Sequence, residues 1–162
     1  MWIVLAVLGA WSCASSGTLP FSGEAFRLSQ VASAGDPARR ASQRLVLQGL
    51  DEDERESASA VSSYERALQV DPTNPYAYLA LARYYVEWGE PERALAFLDK
   101  TEALLGIEAD PSLGVEAHLD GLRGAALLEL GRSAEARPLL SRARTLAPGV
   151  WADGRLDADE LR

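Results

Sequence analysis

The sequence predicts an all-α fold, an α-solenoid of about three helix-turn-helix units followed by a short C-terminal capping helix. Three observations carry this. A G-x-x-x-x-A pattern occurs in Gly89-Glu90-Pro91-Glu92-Arg93-Ala94-Leu95 and returns 42 residues later in Gly131-Arg132-Ser133-Ala134-Glu135-Ala136-Arg137. The close of a unit also occurs twice, once around Tyr64, Ala67 and Pro72 and once around Leu140, Ala143 and Pro148, with the same offsets between the three residues. Strand formers are sparse beside Ala, Leu, Arg and Glu, a bias that favours helices. Self-similarity at such a period is the mark of stacked supersecondary units.

The chain divides into four stretches. Residues 1–17 open with the uncharged run Trp2 to Ala10, followed by small polar residues from Ser12 to Gly17. A membrane-spanning helix needs about 20 apolar residues, twice this run, so the stretch fits the hydrophobic region of an export signal. Residues 18–36 turn to Ser, Gly and Ala with two phenylalanines, and read as a tether with a weak helix from Glu24 to Ser33. Residues 37–150 hold the repeats, placed at about 41–74, 75–108 and 117–150. Residues 151–162, from Trp151 through Asp157 to Leu161, read as a terminal cap or tail, since stacked repeats need their open end covered.

Helix starts are marked by Asp36-Pro37, Asn74-Pro75, Glu90-Pro91 and Asp110-Pro111, three of which place a capping side chain just before a proline at the first helical position. Gly89 and Gly131 suit the positive φ that ends a helix. Ala82, Ala94, Gly124 and Ala136 let paired helices approach, because interaxial distance follows the side chains at the contact, and Tyr78, Leu81, Tyr85, Leu95 and Leu98 fill the space around them. Two features interrupt the regularity. The step from the second unit to the third leaves extra residues between Gly106 and Gly114, expected as a longer loop or helix end, and Pro138 removes a backbone hydrogen bond from the last helix. The acidic run Asp51 to Glu56 reads as a solvated turn; a calcium site is the sharper alternative, but the run lacks the glycine and spacing of a calcium loop.

These residues resemble the tetratricopeptide repeat, a 34-residue helix-turn-helix. Residues 75–108 carry Tyr78, Leu81, Ala82, Tyr85, Gly89, Ala94 and Leu98 at its pattern positions, and residues 117–150 carry Gly124, Leu127, Gly131, Ala136, Leu140, Ala143 and Pro148. Residues 41–74 carry Leu47, Ala60, Tyr64, Ala67 and Pro72, but have Gln48 and Asp51 where a small residue and an aromatic belong. The resemblance implies a curved stack whose concave face, lined by the first helix of each pair, holds a protein or peptide. Mapped onto this sequence, the family's groove positions are Tyr76, Leu79, Arg83, Val86 and Glu87 from one unit and His118, Gly121, Ala125, Leu128 and Glu129 from the next. Tyr76 and Arg83 stand out, since aromatic and Arg side chains dominate binding hot spots; Tyr76 and Leu79 packing against a neighbouring helix is the competing reading. The Lys and Asn arrangement with which some members clamp a C-terminal carboxylate is absent.

The apolar start resembles the signal of bacterial lipoproteins. That resemblance makes Cys13 the lipid acceptor, Ser12 the small residue before it and Ala14 to Gly17 the start of a flexible tether. The sequence departs from the family pattern at Ala10 and at the bulky Trp11, and no Lys or Arg precedes the run. An export signal without lipid, or a buried N-terminus, are the other readings. Ala14 directly after Cys13 implies the outer membrane, because no Asp stands there to retain the protein at the inner one.

Composition narrows the function. The formal net charge of −8 sets the chain against nucleic-acid phosphates and anionic lipid surfaces, so the expected membrane contact is through a lipid anchor only. One cysteine and one histidine exclude an internal disulfide, a cysteine-based zinc site and the usual histidine clusters. His118 has no nucleophile or second histidine set beside it in a recognisable motif, and no glycine-rich phosphate loop is present, so no catalytic residue, metal ligand, cofactor or small-molecule substrate is expected. The expectation is a non-catalytic scaffold of the bacterial cell envelope, facing the periplasm; the alternative is a soluble adaptor of the same fold, cytoplasmic or secreted.

Overall fold

The computed structural model describes residues 25–55, 59–106 and 114–162. Among them stand a 3₁₀ turn at Leu28–Gln30 and seven helices: α1 Pro37–Glu54, α2 Ala60–Val70, α3 Pro75–Glu87, α4 Pro91–Leu105, α5 Val115–Glu129, α6 Ser133–Leu146 and α7 Ala158–Leu161. No strand occurs among the described residues. The closest partners are α1 with α2, α3 with α4 and α5 with α6, three consecutive hairpins as the repeats predict. Successive hairpins meet through α2 with α3 and α4 with α5, and the first helices also touch, α1 with α3 and α3 with α5. Helices α1, α3 and α5 therefore share one side of the stack.

Local signals place the helix ends. The Asp36 carboxylate accepts the Arg39 N–H (2.9 Å) and the Asn74 side chain accepts the Tyr76 N–H (3.1 Å), with Pro37 and Pro75 next in line. Pro91 opens α4 without a side-chain cap, while Glu90 pairs instead with Arg93 (2.8 Å). Gly89 and Gly131 have φ of 69° and 75°, which lets Glu90 and Arg132 donate back to Tyr85 and Leu127 (2.9 and 2.8 Å) and close α3 and α5. Asp110-Pro111 and the interior of the stretch from Gly106 to Gly114 lie outside the described residues, as do residues 1–24 with Cys13; α5 begins at Val115. Helix α6 runs through Pro138.

Small residues bring the hairpins together. Ala82, Ala94 and Ala136 are fully buried, and a Cβ on Gly124 would lie 2.7 Å from Leu140 Cγ. In the first hairpin Gly49 has this role, not Gln48: a Cβ on Gly49 would lie 2.4 Å from the Tyr64 ring, whereas Gln48 is exposed and donates to Glu52 (2.8 Å). One residue fewer separates Gly49 from Tyr64 than Gly124 from Leu140, so a fixed 34-residue frame misplaces the small residue by one. The hairpin junctions carry polar ties that no repeat pattern announces. Buried Asn74 donates to Ser42 Oγ (2.9 Å), which donates to the Ala67 carbonyl (2.8 Å), joining α1, α2 and the start of α3. Arg123 on α5 reaches Asp99 and Glu102 on α4 (2.9 and 3.0 Å).

Two expectations are corrected, and a third gains its place in the fold. The acidic run is not a solvated turn: α1 continues to Glu54, and Asp53 turns inward, pairing with Arg83 and accepting the Tyr64 hydroxyl (3.2 Å). The weak helix from Glu24 to Ser33 is, in its described part, only the 3₁₀ turn, and that part is no tether because Phe26 and Leu28 are buried. The short terminal helix is present, but its chief helical contact is α1; Trp151, Leu156 and Leu161 carry the C-terminal segment across the stack as buried anchors.

Gly49→Ala is expected to lower unfolding free energy by about 1–3 kcal/mol, since the added methyl displaces the Tyr64 ring. Gly131→Ala meets open space and carries only backbone strain of about 1–2 kcal/mol. Urea titrations of the two variants against wild type check both values, and a Gly49→Ala protein as stable as wild type would refute the packing role.

Candidate functional site

The shared side of α1, α3 and α5 is where a ligand groove is expected, and the structure fills much of it with the chain itself. Of the ten expected groove residues, Tyr76, Leu79, Arg83, His118 and Gly121 are buried, Val86 and Ala125 are half-buried, and Glu87, Leu128 and Glu129 are exposed. Tyr76 and Arg83 are thus not the open centre of a binding surface. Each is covered by a segment from one end of the chain.

The N-terminal segment covers Tyr76. The Phe26 ring stacks on Tyr76 (centroids 5.3 Å apart, planes at 21°) and stands edge-on to His118 (6.3 Å). Its backbone passes over Gly114, where a Cβ would lie 2.7 Å from the Phe26 nitrogen. Burying one such ring contributes on the order of 3 kcal/mol, enough to order a short irregular segment.

The C-terminal segment covers the rest. Trp151 is fully buried with its indole on Gly121, where a Cβ would overlap the ring at 2.2 Å, and Leu156 offers its carbonyl to Arg83 Nη1 (3.3 Å). The Asp53 carboxylate takes the other side of the Arg83 guanidinium. A buried guanidinium needs such partners, because desolvating it unpaired costs several kcal/mol. Ser29 N–H donates to the Arg162 carbonyl (2.8 Å) and Arg27 to that of Asp159 (3.0 Å), so the two segments are also joined to each other.

His118 fastens both. Trp151 Nε1–H donates to His118 Nδ1 (3.3 Å), and His118 Nε2 lies 2.9 Å from the Phe26 carbonyl oxygen. An indole nitrogen only donates, so Nδ1 is the bare nitrogen and Nε2 carries the proton given to Phe26. The imidazole is therefore neutral, and burial pushes its pKa below the ordinary 6.5. The arrangement positions chain ends, with both ring nitrogens engaged.

What stays open is the strip beyond these plugs. One cleft, of about 370 Å³, runs between α3 and α5 past Val86, Ala125, Leu128 and Glu129. A second, of about 600 Å³, lies between the ends of α1 and α3 and the C-terminal segment, with Asp53, Glu54, Trp88, Asp157 and Asp159 in its lining; Arg83 and Glu87 border both. Leu128 and Trp88 are 44% and 61% exposed, unusual for side chains this large. Burial, with Glu87 nearby, holds the Glu129 carboxyl above its usual range. Trp88 escaped sequence reasoning because it sits one place past Glu87, the last groove position. Phe26 escaped because two phenylalanines in a Ser-, Gly- and Ala-rich stretch set no helical period.

Residues 53–104 match the family model of the tetratricopeptide repeat. The similarity covers the end of α1, all of α2 and α3, and α4 except its last residue, which is 52 of the 162 residues. No curated protein and no solved structure matches the chain. Tetratricopeptide repeats bind protein partners and are in general non-enzymatic, so the match supports a protein interaction scaffold. Among the described residues no three His, Cys, Asp or Glu side chains converge as metal ligands, and no helix is long and apolar enough to cross a membrane.

Two outcomes are expected from the His118 arrangement. Phe26→Ala should cost about 3 kcal/mol of stability by leaving the Tyr76 slot empty, read as a lowered urea midpoint. Because the folded imidazole resists protonation, the unfolded chain binds more protons below pH 6.5; the stability from neutral His118 is complete above that pH and is lost as pH falls below it. Wild type should therefore lose up to about 1.4 kcal/mol per pH unit more than His118→Gln between pH 6.5 and 5.5. Parallel stability profiles for the two proteins would remove the clamp.

Proposed function

We propose that this chain is a non-catalytic scaffold of the bacterial cell envelope, anchored by lipid on Cys13, that holds a protein partner on the open strip of its inner face. The observation that carries this is the exposure of Trp88 and Leu128 beside clefts on a face otherwise closed by the chain's own ends. Large apolar side chains left on a grooved surface mark interaction sites. The groove assignment thus moves from Tyr76 and Arg83 toward Val86, Glu87, Ala125, Leu128 and Glu129, with Trp88 added.

The anchor rests on the apolar run before Cys13 and the small residues after it. Phe26 follows Cys13 by 13 residues, which span at most about 45 Å when extended. A lipidated Cys13 would keep the inner face within that distance of the membrane, facing the periplasm, and Ala14 favours the outer membrane. Without lipid the same surface serves a soluble adaptor.

Labelled palmitate fed to the native host should enter the wild-type protein and not Cys13→Ala; an unlabelled wild type would replace the anchored form with the soluble one. A photo-crosslinking side chain at Leu128 should yield a discrete protein adduct, and one at Arg137 on α6 should not. Identical adducts from both positions, or none from Leu128, would overturn the inner-face assignment.

A further inference from the structure

We propose that the larger cleft binds a basic segment of the partner, one that places a Lys or Arg among Glu54, Asp157 and Asp159 and an apolar side chain on Trp88. This rests on the reading of the chain as a scaffold and names the chemistry of what it holds.

Trp88 supplies a fixed platform. It follows the last residue of α3, and its indole stacks on Tyr84 (centroids 5.5 Å apart, planes at 25°), so one face is held by the fold while the side chain stays 61% exposed. An indole face takes either an aliphatic side chain or a cation, the latter worth about 0.5–1 kcal/mol at an exposed site. A cleft of about 600 Å³ holds several side chains of an extended segment or a helix turn.

Charge decides the sign of the occupant. The lining carries five carboxylates against one guanidinium, and that guanidinium, Arg83, is already paired with Asp53. Glu87 is paired with Arg155 (2.7 Å). No salt bridge reaches Glu54, Asp157 or Asp159 among the described residues, and Arg55, the neighbour of Glu54, is not part of the lining. Helices α1 and α3 both end here, and α3 has no basic residue in its last turn, so their C-terminal carbonyls add to the negative potential. An acidic peptide or phosphate would be repelled. A bare metal ion is disfavoured, since among the described residues these carboxylates do not converge. A segment with spaced cations and an apolar residue satisfies both the carboxylates and the indole.

The test uses the full chain in neutral detergent and a fluorescein-labelled dodecapeptide of alternating arginine and leucine, with a glutamate and leucine dodecapeptide as its counterpart. The basic peptide should raise anisotropy on binding and the acidic one should not. Combined Glu54→Gln, Asp157→Asn and Asp159→Asn should weaken binding about tenfold, from three exposed pairs of roughly 0.5 kcal/mol each. Trp88→Ala should weaken it about fivefold, with Trp88→Phe restoring part. The matched triple Glu65→Gln, Glu92→Gln and Glu116→Gln removes as much charge from exposed positions outside the cleft and should change binding less than about twofold. Equal loss in the two triples, no loss in Trp88→Ala, or no binding of the basic peptide would each overturn the proposal. A Leu128 adduct in the host together with failure here would leave the scaffold standing and remove only the basic chemistry.

Discussion

Close approach of paired helices is the constraint from which the rest of the structure follows. The first and third hairpins set a glycine, Gly49 or Gly124, against a large residue, Tyr64 or Leu140, on the partner helix, and the second buries Ala82 and Ala94 completely. At that separation one added carbon collides, so the pairs hold a single register. The hairpins stack with α1, α3 and α5 on one side, which gives the stack an inner face.

An inner face lined by Tyr76, Leu79, Arg83 and His118 would leave apolar and charged groups half-solvated. Here the chain resolves this itself. Phe26 and Trp151 fill the slots beside Tyr76 and Gly121, Leu156 and Asp53 accept from the two Nη atoms of Arg83, and His118 holds the two arriving segments with its two ring nitrogens. Burial of the imidazole is tolerable only in its neutral form, which is the form these hydrogen bonds require. The inner contacts also tie the first and last hairpins, since α7 rests on α1 and the Arg162 carbonyl accepts from Ser29. A stack that would otherwise hold only through nearest neighbours gains long-range closure.

That closure relocates the binding surface. Repeat logic alone puts the centre of a groove at Tyr76 and Arg83, whereas the filled inner face leaves Trp88 and Leu128 as the large apolar side chains open beside clefts. The acid-rich composition has a local meaning there. Most carboxylates of a helical stack face solvent on amphipathic surfaces, but those at the ends of α1 and α3 and beside α7 line one cleft together with an indole. The character of the larger cleft follows from where helices end, not from which face of a helix a residue occupies.

The amino-acid sequence by itself determined the helical hairpins, because prolines at helix starts, positive-φ glycines at helix ends and small residues at matched offsets act within a turn or two of where they stand. Gly89, Gly131, Asn74-Pro75 and Ala94 were legible for that reason, and Gly49 was misread by one place only because one residue fewer separates it from Tyr64 than separates Gly124 from Leu140. What covers the inner face was decided by the tertiary structure alone. Phe26 meets His118 across 92 residues, Arg83 meets Leu156 across 73, and Trp151 meets His118 across 33. No periodicity links such pairs: each contact depends on the shape that the stacked hairpins present, and its free energy is a property of the assembled stack.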